Sequence, residues 1–120
     1  MDASVFIVDD EDSLRAGYTI LLERAGYRVR AFACAEDLLI ALGAGARPDL
    51  ILTDNGMPGM SGTALVHHLR VSGFTKPIVM ISGSHGIMED KTLMREVTGF
   101  LPKPAPIADI VAAVARALGS

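Results

Sequence analysis

The chain has 120 residues, half of them apolar, and a formal charge of −3 with its basic residues scattered, which suits one domain with a substantial core and gives no basic footprint for nucleic acid. No uninterrupted apolar run reaches the roughly 20 residues of a membrane span, and the acids Asp2 and Asp9 stand where an export signal would carry basic and then apolar residues. The single Cys34 forms no internal disulfide, so a cytoplasmic, reducing setting is expected.

The predicted elements alternate. Ser4-Val-Phe-Ile-Val8 reads as a short buried strand ended by Asp9-Asp10-Glu11-Asp12. Asp12 or Ser13 can cap a helix that runs to about Ala25, with Leu14, Tyr18, Leu21 and Leu22 on its inner stripe, and Gly26 supplies the stop. Tyr27 to Phe32 alternates apolar and basic residues, as a strand at a sheet edge does. Ala35 to Leu42 forms a short helix with Leu38, Leu39 and Leu42 inward, and Gly43, Gly45 and Pro48 make the loop beyond it.

Leu50, Ile51 and Leu52 are a continuous apolar run, as in a strand covered on both faces, and the run stops at Asp54. Gly56, Gly59 and Gly62 are expected to let the backbone approach an anion or take positive φ, and Pro58 stiffens the loop. Ser61 can cap a third helix from Thr63 to Val71, whose Leu65 and Leu69 share one buried face. Pro77 to Ile81 is another apolar strand reaching Ser82. The stretch from Gly83 to Val97 is less regular: Ile87, Met94 and Val97 make an apolar stripe, but Gly83 and Gly86 weaken its start. Gly99 to Pro102 is a brief last strand, and Ile107 to Leu118 a helix with Ile107, Ile110, Val111, Val114 and Leu118 on one side. Strands alternating with helices in this way predict an α/β fold built on a doubly wound parallel sheet. Asp54 then emerges at the carboxyl edge, where open α/β sheets bind ligands.

Four features taken together resemble the receiver domain of two-component response regulators: the Asp54-Asn-Gly-Met-Pro58-Gly-Met-Ser-Gly62 loop, the acid pair Asp9-Asp10, Ser82 at the end of an apolar run, and Lys103 before Pro104. The resemblance covers nearly the whole chain, with residues 1–120 as one receiver domain. It implies a flavodoxin-like, five-stranded (β/α)5 fold with strand order 2-1-3-4-5, an order that periodicity alone leaves open. The ends of strands one, three, four and five then meet at one crevice and collect Asp9, Asp10, Asp54, Ser82 and Lys103. Carboxylates held this close repel one another unless a cation neutralises them, and Mg²⁺ with its preference for oxygen ligands fits.

By resemblance, Asp10 and Asp54 bind Mg²⁺ through their side chains, Gly56 through its backbone carbonyl, and Asp9 largely through water. Asp54 is the implied phospho-acceptor, forming an acyl phosphate as nucleophile. Lys103 supplies positive charge, and Ser82 with the backbone N–H groups near Gly56 and Gly83 donates to the phosphoryl oxygens. Lys103-Pro104 matches a family pair in which a cis bond is usual. Phe100 falls at the family's aromatic switch position; it either swings inward when Ser82 is drawn to the phosphoryl group, remodelling the face of helix four, strand five and helix five, or is a plain core residue. The chain departs from the family pattern at Gly83, usually Ala, at Val97-Thr98-Gly99, usually a Gly-Ala pair before the aromatic, and at Ala105, often a bulkier apolar residue.

The implied partners are a sensor histidine kinase or a histidine phosphotransfer protein, with a homodimer through the helix four, strand five, helix five face as a further option. No membrane and no direct nucleic-acid contact is expected of this domain. The chain is expected to be no enzyme beyond its own phosphorylation and dephosphorylation at Asp54. A phosphorelay or hybrid-kinase receiver is the alternative reading. An aspartyl-nucleophile phosphatase would want a second acid two residues after the nucleophile, where Gly56 stands. A flavin or nucleotide module would want a phosphate-cradling loop where Asp9-Asp10-Glu11-Asp12 stands, and a docking domain that no longer phosphorylates would not need the acid, hydroxyl and lysine set. His67 and His68 are adjacent on a helix and point apart, which disfavours a shared metal; His85 reads as an exposed loop residue and Cys34 as a small, partly buried one. Gly56 and Ser84 flank the approach of a hydrolytic water in the family, and neither can orient one well, so slow dephosphorylation is expected.

Overall fold

The computed structural model of the chain describes residues 2–83 and 87–119, with Met88 described by its backbone alone. The expectations placed on Ser84, His85 and Gly86 lie outside the described residues. The strands are β1 (Ser4–Val8), β2 (Arg28–Phe32), β3 (Leu50–Asp54), β4 (Ile78–Ser82) and β5 (Gly99–Pro102). The helices are α1 (Asp12–Arg24), α2 (Ala35–Gly43), α3 (Gly62–Val71), α4 (Lys91–Glu96) and α5 (Ile107–Ala117), with a 3-10 turn over Ile87–Glu89 ahead of α4. All strand pairs are parallel, in the order β2-β1-β3-β4-β5. The α/β fold and strand order expected from the sequence are therefore those of the structure.

The period-2 alternation of each strand divides the core in two. Val5, Ile7, Leu50, Leu52, Val79 and Ile81 pack with Leu22 of α1 and with Ile110, Ala113 and Val114 of α5. The intervening Phe6, Val8, Ile51, Ile78 and Met80 pack with Ala35 and Leu38 of α2, Leu65, Val66 and Leu69 of α3, and Leu93 of α4. Helices thus cover both faces, and the apolar runs of β3 and β4 are buried at every position. The chain winds outward from β1 to β2 with α1 on one face, then returns past β1 to β3 with α2 on the other. Right-handed crossovers require that change of face, and it opens a crevice between the carboxyl ends of β1 and β3.

Edge strand β2 carries exposed Arg28 and Arg30. The Arg30 guanidinium lies 5.3 Å from the ring centroids of both Phe6 and Phe32, so its charge faces outward while its stem covers aromatic surface. Gly26 takes φ +101° after α1, the left-handed stop its position suggested. Some details differ from the sequence reading. Glu11 is the N-cap of α1 and makes no side-chain cap bond, so neither Asp12 nor Ser13 caps it. The segment before β5 yields a six-residue α4, capped by Asp90 through its bond to Leu93 N. Ile107 is 67% exposed rather than on the inner stripe, because it is the first residue of α5 and Ala113 takes the buried position with Ile110 and Val114.

Candidate functional site

Asp54 closes β3, Ser82 closes β4, and Asp9 and Lys103 stand one residue beyond β1 and β5. Backbone bonds continue the sheet to these positions: Asp9 N donates to Phe32 O at 3.1 Å, and Lys103 N donates to Ser82 O at 2.9 Å. The alternation assigns a face to each. Asp9, Asp54 and Lys103 extend the rows of Ile7, Leu52 and Leu101, which face α1 and α5. Ser82 follows Met80, and Phe100 is itself packed against the cluster that faces α2, α3 and α4. The charged group and the hydroxyl and aromatic pair thus approach the crevice from opposite sides of the sheet.

Asp9, Asp10 and Asp54 offer carboxylate oxygens that all lie within 4.8 Å of one another. Asp9 and Asp54 are buried and Asp10 is exposed. Asp9 Oδ1 accepts from Glu11 N at 2.9 Å, while Asp9 Oδ2 is buried without a hydrogen-bond partner among the described residues. Burial pushes the Asp9 carboxyl above its ordinary value, aided by the charges of Asp54 and Asp10; the Glu11 N–H and the Lys103 charge oppose the rise without cancelling it. The Lys103 ammonium stands 3.1 Å from Asp54 Oδ1. Burial alone would lower its pKa, but the hydrogen bond and charge of Asp54, with the charge of Asp9, raise it overall. One ammonium against three carboxylates leaves the crevice acidic. An all-oxygen donor set with an unpartnered buried carboxylate oxygen fits a hard divalent cation.

The loop after Asp54 is fixed mainly by Asn55, which the sequence reading did not single out. Its Oδ1 accepts from Thr63 N at 2.8 Å and from Thr63 Oγ1 at 2.7 Å, and its carbonyl accepts from Met57 N and Gly62 N, both at 3.0 Å. The available signal was an Asn at a strand-to-helix join, a residue type that bonds nearby backbone in turns and caps. Ser61 caps α3 as expected, accepting from Ala64 N at 3.1 Å. Gly62 is needed for packing rather than for an anion: a Cβ there would lie 2.2 Å from the Asp54 carbonyl oxygen. Gly59 takes φ +76°. Gly56 needs neither freedom, since its φ is not positive and a Cβ would meet nothing within 4 Å among the described residues. Its place in the expected set rests on its carbonyl and N–H alone.

The Lys103-Pro104 peptide is cis, as the family pair implied. Gly83 lies beside the lysine stem, where a Cβ would make ordinary contact with Lys103 Cβ at 3.6 Å. Phe100 is partly buried against the cluster that includes Met80 and Leu93. His67 and His68 are exposed on α3, away from the acids; His67 Nδ1 faces Glu96 Oε2 of α4 at 3.1 Å. Arg70 braces the same junction, donating to Glu96 O at 2.8 Å, Phe74 O at 2.9 Å and Lys76 O at 2.8 Å. Cys34 is the N-cap of α2 and makes no side-chain cap bond. Tyr18, expected only as a core-facing residue of α1, is near enough to the crevice to feel the charges of Lys103, Asp9 and Asp54, while burial raises its pKa.

Comparison with known proteins gives a consistent result. Residues 5–115 match the family model described as the response regulator receiver domain. The chain is 32% identical over 116 residues to the transcriptional regulatory protein FixJ of Azorhizobium caulinodans, with 96% of this chain and 54% of that protein covered. It is 33% identical over 116 residues to the DNA-binding transcriptional regulator NtrC of Escherichia coli K12, covering 95% of this chain and 24% of that protein. The chain therefore spans between about a quarter and about half the length of these relatives. Among solved structures, the chemotaxis response regulator CheY4 of Vibrio cholerae superposes with a TM-score of 0.85 at 30% identity, covering 98% of this chain and 99% of that one. With the doubly wound sheet, the acid cluster at its switch point and a match over nearly its full length, this chain belongs to the receiver domain family of two-component response regulators.

Proposed function

We propose that the chain is a phosphorylation switch that accepts a phosphoryl group on Asp54. The observation that carries this reading is the Lys103 ammonium 3.1 Å from Asp54 Oδ1, beside the crowded carboxylates of Asp9 and Asp10. A sensor histidine kinase or a histidine phosphotransfer protein is the donor. One Asp54 oxygen attacks the phosphorus, the phosphorus–nitrogen bond to the donor histidine breaks, the histidine recovers a proton, and an acyl phosphate remains on Asp54. The side chains of Asp10 and Asp54 and the Gly56 carbonyl, with Asp9 largely through water, would hold Mg²⁺, which when bound would supply positive charge to neutralise the incoming phosphoryl oxygens.

Lys103 turns from its Asp54 oxygen to a phosphoryl oxygen, and Ser82 and the backbone N–H groups near Gly56 and Gly83 donate to the others. Ser82 and Phe100 lie on the α4 side of the sheet, so movement of Ser82 toward the phosphoryl group disturbs the packing between Phe100 and α4 and alters the α4–β5–α5 face. That face is where an output or a second copy of the chain engages. A receiver that passes phosphate on within a phosphorelay or hybrid kinase uses the same chemistry. Gly56, in place of a second acid, speaks against a phosphatase acting on other substrates. The chain acts only on itself, in the cytoplasm, and makes no nucleic-acid or membrane contact of its own; no helix among the described residues is long and apolar enough to cross a membrane. Incubation with acetyl phosphate and Mg²⁺ is expected to add one phosphoryl group to the wild-type chain and none to Asp54→Asn, as read by intact mass. The same adduct on Asp54→Asn would overturn the assignment.

A further inference from the structure

Lys103 leaves the end of β5 on the face covered by α1 and α5, beside a cleft that both helices line. Tyr18 and Lys103 line one cleft of about 490 Å³, closed further by Leu21, Pro104 and Ile110. The position of α1 over the crevice is fixed one turn earlier, where Arg15 Nη1 donates to the Asp9 carbonyl at 2.8 Å. On the β4 side the lysine stem lies beside Gly83, which offers no side chain to pack against it. The ammonium has three protons, and Asp54 Oδ1 accepts only one of them in the observed pair. Among the charged groups acting on the Tyr18 phenol, Lys103 acts most strongly.

We propose that Tyr18 is a positioning residue for Lys103: its ring walls the lysine stem, and its hydroxyl accepts one of the ammonium's remaining protons, holding the ammonium over Asp54 during phosphoryl transfer. Without it, the stem is free to swing out along the cleft, whose other α1 lining residues among those described are Leu14, Gly17 and Leu21. The inference rests on the phosphorylation reading of the site. Tyr18 touches neither the donor nor the reacting atoms, so its effect passes entirely through the lysine.

The test is a double-mutant cycle of Tyr18→Phe and Lys103→Ala, with timed labelling by acetyl phosphate at saturating Mg²⁺. Tyr18→Phe is expected to lower the maximal labelling rate about fivefold, the size of one net hydrogen bond. The acetyl phosphate concentration at half-maximal rate, the Mg²⁺ affinity and the thermal midpoint stay unchanged. In the Lys103→Ala background the same substitution changes nothing, which a merely structural effect on α1 would not reproduce. A Tyr18→Phe chain that labels at the wild-type rate, or an equal loss in both backgrounds, would overturn the role of Tyr18. If Lys103→Ala labels too slowly to time, the Lys103 Nζ proton resonances decide: faster exchange in Tyr18→Phe than in wild type supports the proposal, and equal exchange overturns it. A wild-type chain that takes up no phosphoryl group at all would overturn the phosphorylation reading itself and Tyr18's role with it.

Discussion

The peptide N–H of Lys103 donates to the carbonyl of Ser82 at 2.9 Å, so the two residues expected to grip the phosphoryl group are joined through the backbone although their side chains enter the crevice from opposite faces of the sheet. Lys103→Ala keeps that bond and removes the side chain beyond Cβ, stem and ammonium together. Mg²⁺ binding is expected to be retained or strengthened, because one positive charge leaves the crevice. The conformational response is expected to weaken, and amide spectra with a beryllium fluoride phosphoryl mimic check it: a full wild-type shift from α4 to α5 would show that Lys103 does not couple the site to that face.

The same substitution is expected to cost metal-free stability of about 1–3 kcal/mol at neutral pH, since it leaves buried carboxylates without their cation. Lys103 has a raised pKa in the folded chain, so its contribution is complete below the ordinary value of 10.5 and disappears as pH climbs through the higher folded value. Chemical denaturation of both chains between neutral and strongly alkaline pH should therefore show their difference shrinking at the alkaline end.

Asp9 has the opposite consequence for stability. Its folded pKa lies above the ordinary 3.8, so at pH values between the two the folded chain holds a proton that the unfolded chain has released. That contribution is fully present below 3.8 and is lost as pH rises through the raised folded value, which makes metal-free Asp9 a destabilising group at neutral pH. Asp9→Asn is expected to stabilise the metal-free chain at pH 7 and to flatten its stability between mildly acid and neutral pH. Mg²⁺ is expected to stabilise the wild type more than the variant, by mass action on the folded state. Denaturation midpoints at two pH values, with Mg²⁺ or with a chelator, measure all three effects.

The acids were legible because buried parallel strands write themselves as uninterrupted apolar runs, so the first ionisable residue after Leu50-Ile-Leu or after Val5 to Val8 marks the carboxyl edge. Which edges meet was not legible in periodicity, because strand order depends on crossovers between distant segments; the resemblance carried it. Tyr18 was hidden because an aromatic on the inner stripe of an amphipathic helix reads as core whether it ends against leucines or beside a lysine. Asn55 was hidden by its neighbour, since its role depends on bonds to Thr63 across the loop. Ile107 failed for a local reason: the first residue of a helix can carry the apolar period and still stand clear of the sheet.

Gly62 and Gly56 offer a paired test of what the loop requires. Gly62→Ala forces a Cβ to within 2.2 Å of the Asp54 carbonyl and 2.8 Å of Asn55 Cα, both backbone atoms that cannot rotate away. A loss of about 1–3 kcal/mol is expected from overpacking, with slower labelling because Asp54 itself must shift. Gly56→Ala meets open space at an ordinary φ and is expected to change stability by no more than about 0.5 kcal/mol. Equal losses in the two variants would show that α3 does not depend on its close approach to the end of β3.

The open space at Gly56 also bears on how long the phosphoryl group lasts. Hydrolysis needs a water in line with the Asp54–phosphorus bond, and a glycine two residues beyond the nucleophile offers no side chain to orient it. Two effects oppose each other: the bare backbone leaves the phosphorus accessible, but an unoriented water reacts poorly, and positioning accounts for much of the barrier reduction in phosphoryl chemistry. Orientation is the larger effect, because a single well-placed group can change such a rate by an order of magnitude or more. Since a Cβ at position 56 would meet nothing within 4 Å among the described residues, Gly56→Asn can add an orienting amide without a clash at its Cβ. The wild-type phospho-adduct is expected to decay slowly and the Gly56→Asn adduct about tenfold faster, by timed intact-mass measurement after donor removal. A variant that decays no faster than wild type would show that access to the phosphorus, not orientation of the water, sets the lifetime.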